Sequence, residues 1–301
     1  MSISVSNLRK SYGRLLAVDD ISLDVPSGSL FAFLGANGAG KSTTIGCITT
    51  TVSPTSGRIR IDGIDVVTHA HEVRRRIGAV FQSSILDPLL TVEENISVRG
   101  RLYGLGRRVV AARIGELSDL VGLDEVLSRR YGTLSAGQQR RVDIARALVH
   151  QPSVLFLDEP TAGLDPQSRE RIWSAISGLR ESQGTTVFLT THYMEETERA
   201  DRVCIIDHGR IVAEGAPAEL RTTYSKSVLT VRAAAPSEVI AAARSRGLHA
   251  EMQASGDAVE ISVDSSEQAL VFLRSQPVDD FEFRHGTMDD VFLAVTSVGA
   301  A

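Results

Sequence analysis

Residues 35–42 read GANGAGKS, a fit to G-x-x-x-x-G-K-[ST]. They follow the apolar run SLFAFL and open a segment with helical character. Glycines here let backbone N–H groups close around phosphate oxygens, where side chains would obstruct them. Gly35, Asn37, Gly38 and Gly40 therefore form a candidate phosphate cradle. Lys41 is placed to set its ammonium on β- and γ-phosphates, Ser42 to give Mg²⁺ a hydroxyl ligand, and Thr43 to add a phosphate contact. A glycine turn that merely joins strand to helix is the simpler reading. The strand–loop–helix context argues against it.

SVLFLDEP at 153–160 supplies complementary chemistry. Four apolar residues read as a buried strand with Asp158 at its end, a ligand for Mg²⁺ directly or through water. Glu159, next along, can polarise a water for in-line attack on a γ-phosphate. A general base of this kind contributes roughly 10²–10⁴ in rate. Alone, the two acids read as a solvated strand end. Beside a phosphate loop they read as a hydrolytic site, which still covers GTPases, small-molecule kinases, helicases and transport ATPases.

A third segment narrows the choice. In LSAGQQRR (134–141), Ser135 precedes the helical run GQQRRVDIARALV and reads as its N-cap. The free amides and dipole of that helix make a second anion site. The chain's own phosphate loop already serves one nucleotide, so the spare site suits a nucleotide held by another subunit. The bland alternative is a capped helix and nothing more.

These residues need a frame, and the first 220 residues provide an α/β one by alternating apolar runs with helical patterns. Strands are predicted at Ile3–Leu8, Ile21–Val25, Leu30–Leu34, Arg58–Ile61, Ile77–Phe81, Val154–Leu157, Thr186–Thr190 and Val203–Ile206. IIDHGRIVAEG (205–215) predicts a hairpin with a His-Gly turn. Strand signals vanish between Thr91 and Arg130, which predicts a helical insert and a helical subdomain over about 91–150. RTTYSKS (221–227) is polar and without periodicity, so the boundary between a domain of residues 1–220 and one of 221–301 is placed there. Beyond it the pattern is strand, helix, strand, a Ser-Gly-Asp turn, strand, helix, strand, then a last helix. That order predicts a small ferredoxin-like α+β unit.

Composition excludes several classes. A chain of 301 residues, 43% hydrophobic and 23% charged, suits about two globular domains. Cys47 and Cys204 lack metal-type spacing, so neither a disulfide scaffold nor a zinc site is expected; Cys47 reads as core. No apolar run approaches the roughly 18 residues of a membrane span, and the N-terminus lacks an apolar signal core. The expectation is a cytoplasmic protein with no direct membrane span. Net charge is −5, with 6 basic and 11 acidic residues after position 224 and 26 of each before it. A neutral body with an acidic tail domain makes nucleic acid an unfavoured partner.

In their order along residues 1 to about 220, the motifs resemble an ATP-binding-cassette (ABC) ATPase, a P-loop NTPase with a mixed sheet and helical insert. The resemblance implies that Tyr12 stacks on adenine and that Gln82, after a strand, contacts Mg²⁺ and water and couples the site to a membrane partner. It makes LSAGQ (134–138) the signature, with Ser135, Gly137 and Gln138 as nucleotide contacts. It also makes Asp165 a dimer-contact residue and His192 a hydrogen-bond donor to the γ-phosphate, beside Lys41, Asp158 and Glu159. Each has a plainer reading: Tyr12 packed on a strand, Gln82 and His192 as ordinary loop residues, Asp165 as the cap of a helix starting at Pro166. One position departs from the usual Leu-Ser-Gly-Gly-Gln, because Ala136 stands third. Its methyl is expected to alter but not abolish the signature.

With one set of motifs, the resemblance implies a second cassette as partner, a homodimer closing head to tail on two ATP. It further implies a separate transmembrane permease that holds the chain on the cytoplasmic face of the membrane. GTMDDVFLAVTS (286–297), with PTSGRIRIDGIDVV and VRRRIGAVFQ upstream, resembles the daunorubicin- and multidrug-resistance export subgroup. Efflux of a hydrophobic compound follows, with lipid, polysaccharide or other ABC-2-type cargo as alternatives. Val291, Phe292, Leu293 and Val295 either anchor the last helix on the cassette or its mate, or finish the small domain's own core. A soluble cassette ATPase acting on DNA or ribosomes is the rival class, disfavoured by the single cassette and the charge. A catalytically dead module is disfavoured by Lys41, Asp158, Glu159 and His192.

Overall fold

The computed structural model describes residues 1–253 and 256–297, so Ser255 of the expected Ser-Gly-Asp turn lies outside the described residues. Strand β1 (Ile3–Tyr12) pairs antiparallel with β2 (Leu15–Val25) from Ile3 opposite Val25 to Tyr12 opposite Leu15. Alternation turns Ile3, Val5, Ile21, Leu23 and Val25 inward, and a register shift between Val5 and Leu8 brings Leu8 in as well. Both strands run further than their apolar stretches predict, because pairing carries the polar residues along. Every residue of β3 (Leu30–Gly35) is buried, as a parallel strand covered on both faces must be. It leads into α1 (Lys41–Ile48). Strands β4 (Ser56–Ile61) and β5 (Ile64–Asp65) then complete a four-stranded sheet in the order β2-β1-β4-β5.

Helix α2 (Ala70–Arg76) feeds β6 (Ile77–Val80), and the insert follows as α3 (Val92–Leu102) and α4 (Arg107–Val121). Thr91 and Glu94 form a capping box that starts α3, and Gly122, in the left-handed region, ends α4. Next come α5 (Ala136–Leu148), β7 (Val154–Asp158), α6 (Pro166–Gln183), β8 (Thr186–Thr190) and the short α7 (Met194–Thr197). A hairpin of β9 (Arg202–Asp207) and β10 (Arg210–Gly215) turns at His208-Gly209, both at positive φ. The second sheet runs β10-β9-β3-β8-β7-β6, and its central pairs are parallel. Parallel strands end together, so Gly35, Asp158 and Thr190 share one edge, where ligands bind in such sheets. Both sheets and α1 share one core, in which Phe31 stacks on Phe188 at 5.2 Å and Cys47 is fully buried.

The chain divides between Glu214 and Gly215, not in the polar stretch 221–227. Position 220 falls inside α8 (Pro217–Tyr224), whose Leu220 is buried. That helix packs on the last helix of the second unit, so it belongs there. The unit continues as β11 (Ser227–Arg232), α9 (Pro236–Ser245), β12 (Ala250–Met252), β13 (Val259–Val263), α10 (Ser266–Leu273), β14 (Asp280–Arg284) and α11 (Met288–Ser297). Its sheet order is β12-β13-β11-β14, antiparallel at every pair. On α11, Met288, Val291 and Val295 are buried in this unit, whereas Leu293 is 61% exposed.

Candidate nucleotide site

The loop between β3 and α1 is built around its glycines. Gly40 has φ +108°, and a Cβ there would lie 2.5 Å from the Ala17 carbonyl oxygen, so no other residue fits. It caps α1 in the left-handed region, and among the described residues no side chain caps that helix. The first amides of α1 are therefore free to receive an anion. Ala36, Asn37 and Gly38 are exposed around them, and Ser42 is exposed in the first turn with Thr43 beside it. Lys41 folds over the loop, its Nζ donating to the carbonyl oxygens of Gly35 (2.7 Å) and Ala36 (3.1 Å). Burial lowers its pKa, opposed by the Glu159 and Asp158 carboxylates. An open cradle with an ammonium inside fits a polyphosphate.

Two acids stand at the end of β7. Asp158 Oδ1 accepts a hydrogen bond from Thr190 Oγ1 at 2.6 Å, which fixes the carboxylate across the β7–β8 pair. Glu159 adopts φ +47°, uncommon for glutamate, while its N–H donates to the Thr190 carbonyl and hydroxyl oxygens, both at 3.1 Å. His192 Nδ1 lies 3.4 Å from Glu159 Oε1, with half of the imidazole side chain exposed. Gln82, exposed in the loop after β6, lines a cleft with Glu159 and Ala136. Among the described residues no three His, Cys, Asp or Glu cluster as a metal cage. Ser42, Asp158 and Gln82 are instead hard oxygen donors, the set that suits Mg²⁺ shared with phosphate. Tyr12 ends β1 on the antiparallel sheet, 48% exposed, with Lys10 Nζ 4.8 Å from its ring centre. Its ring is available for stacking rather than buried on a strand.

The signature residues are arranged differently. Ser135 Oγ accepts from the Gln138 N–H (3.3 Å), and the Ser135 N–H donates to Gln138 Oε1 (3.0 Å), a capping box at the start of α5. Gly137 is buried against α6, where a Cβ would come within 2.4 Å of Ser168 Oγ. Its missing side chain thus serves helix packing inside this chain, and the exposed neighbour is Ala136. Asp165 caps α6 by accepting from the Ser168 N–H at 2.9 Å, and the hydrogen bonds from Ser168 hold its carboxyl below the usual range.

The model of the ABC transporter family matches residues 18–162. The chain is 39% identical to the daunorubicin/doxorubicin resistance ATP-binding protein DrrA of Streptomyces peucetius, over 98% of this chain and 92% of that protein. It is 37% identical to the Nod factor export ATP-binding protein I of Ralstonia nicotianae, over 98% and 93%. The chain belongs to the ABC transporter ATP-binding proteins. Among solved structures, the dimeric post-hydrolysis state of the cassette MJ0796 bound to ADP and Pi superimposes with TM-score 0.65 at 29% identity, covering 71% of this chain and 98% of that one.

This ABC ATPase also places residues at the site that sequence reasoning missed. Thr190 orients both acids. Arg140, on α5, donates to the carbonyl oxygens of Phe81, Asp158, Glu159 and Pro160. Asp143, one turn further, accepts from Ser84 Oγ (2.7 Å) and Tyr131 OH (3.2 Å). Burial raises the Asp143 pKa and pushes that of Tyr131 up to about 12. In the sequence, QQRRVD is only part of the helical run after Ser135, with no local signal that Arg140 and Asp143 are buried.

Proposed function

We propose that this ATPase powers an export system, driving a drug or other hydrophobic compound through a separate membrane permease. The observation that carries the reading is the 39% identity to a drug-resistance ATP-binding protein over 98% of the chain, a share that extends beyond the first unit into the second. A second reading, another cargo exported by the same kind of engine, draws on the similarity of equal extent to a Nod factor export protein.

Within the site, the α1 amides and Lys41 bind and orient the phosphates of ATP, with Tyr12 against the base. Ser42, Asp158 and Gln82 hold Mg²⁺, which when bound neutralises phosphate charge. Glu159 takes the proton of the attacking water, and His192 donates a hydrogen bond to the γ-phosphate. Two cassettes close head to tail, each site pairing one phosphate loop with the other subunit's Ser135, Gly137, Gln138 and Asp165. The dimeric MJ0796 cassette supports this arrangement, and a second copy of this chain is the partner proposed. No helix of the described residues is long and apolar enough to cross a membrane, and attachment at the cytoplasmic face through the permease is part of this proposal. The strand order and antiparallel pairing of the second unit support its reading as ferredoxin-like.

Affinity purification of the tagged chain from gently solubilised native membranes, with mass spectrometry, tests the proposal. A polytopic membrane protein at matching stoichiometry is expected. A set of purely soluble partners, ribosomes or DNA would overturn transport.

A further inference from the structure

Helix α5 begins at the signature and, one turn in, reaches back to its own subunit's hydrolytic residues. Arg140 is 8% exposed. Its Nε donates to the Pro160 carbonyl oxygen at 2.9 Å, and its Nη1 to that of Phe81 at 2.6 Å. Its Nη2 donates to the carbonyl oxygens of Asp158 at 2.5 Å and Glu159 at 3.0 Å. One planar guanidinium thus holds the three consecutive peptide units that carry the two site acids, and the residue just before Gln82. Glu159 sits there at φ +47°. A backbone in that region persists only where its surroundings over-determine it. Thr190 grips the Glu159 N–H from the β8 side, and Arg140 grips its carbonyl from the α5 side. The charge of Arg140 is offset by Asp143 on the same helix and by Asp158 and Glu159.

We infer that Arg140 is a positioning residue for Glu159, making the placement of the water-activating carboxylate depend on the placement of α5. The inference rests on the proposed role of Glu159 and on α5 presenting the signature to a second cassette. The Arg140 hydrogen bonds avoid the phosphate loop and reach backbone carbonyls rather than the Asp158 carboxylate or the Gln82 side chain, so its main effect falls on the chemical step. A fork of five N–H donors is required, since a lysine ammonium cannot span four carbonyl oxygens in this geometry. Displacing a reacting group by 1 Å can cost about 10²-fold in rate.

The test compares the full-length wild type with Arg140→Lys and Arg140→Gln in saturation kinetics of ATP hydrolysis. It also measures ATP-driven pairing of each variant in a Glu159→Gln background. Arg140→Gln guards against misfolding of the lysine variant, because it buries no unpaired ammonium. The expected result is kcat lower by about 10²-fold, KM within about twofold of wild type, and pairing retained. Wild-type kcat in either folded variant overturns the inference. So does a loss of ATP binding and pairing in step with the thermal midpoint, which marks Arg140 as a packing residue only. Equal turnover by wild type and Glu159→Gln would instead overturn the role of Glu159 itself. The two failures are therefore told apart by one extra variant.

Discussion

Two helices of the cassette start where phosphate is expected, and they start in opposite states. Helix α1 opens from Gly40 with no side-chain cap among the described residues, its amides free and Lys41 already folded over the loop. Helix α5 opens from Ser135 with a complete capping box, so Ser135 and Gln138 satisfy each other. The first is a site that a single chain can fill, because no side-chain cap occupies its amides and only the Lys41 hydrogen bonds to Gly35 and Ala36 are traded for the anion. The second must trade internal hydrogen bonds for an arriving ligand, which in the proposed dimer the other cassette brings. On the proposed reading, capture of ATP and its hydrolysis are separable steps.

The sharpest way to break the comparison is Lys41→Ala. It should abolish ATP binding by the isolated chain in titration calorimetry and lower hydrolysis by about 10³-fold or more. Next is Ser135→Ala, which should leave ATP binding by the single chain within about twofold. Pairing driven by ATP, followed by size-exclusion chromatography, should weaken, and hydrolysis should fall about 10–100-fold. The lost cap itself costs about 1 kcal/mol. If Ser135→Ala weakened binding by the single chain as much as Lys41→Ala, the two helix starts would be equivalent and the contrast would fail. The third effect, and the smallest in free energy, is expected from Gly137→Ala, whose Cβ meets Ser168 rather than solvent and so acts first on the packing of α5 against α6. It should destabilise the fold by about 1–3 kcal/mol in chemical denaturation, and Ser168→Gly in the same chain should restore most of that.

Both helix starts are legible from sequence because capping and phosphate cradling are local. Eight contiguous residues, GANGAGKS, carry the strand end, the turn and the first helical turn. Ser135 and Gln138 lie three apart, the spacing at which a capping box closes. Gly137 was legible as a glycine but not as to its reason: the collision that excludes a side chain comes from Ser168, on another helix. The domain boundary shows the same limit. RTTYSKS is polar enough to read as a linker, yet it closes α8, and only the packing of α8 on α11 assigns that helix to the second unit.

The sequence by itself determined the family, the phosphate loop, the order of the acidic strand end and signature, and the α/β alternation around them. Each is encoded in short runs where backbone geometry follows from neighbouring residues. Tertiary structure alone decided which groups hold the acids in place. Arg140 meets carbonyl oxygens 18, 19, 20 and 59 residues away, and Thr190 meets Asp158 from 32 residues away. Such contacts depend on parallel strands ending at one edge with α5 packed beneath them, and no local pattern of charge or polarity announces that a charged side chain will be buried there.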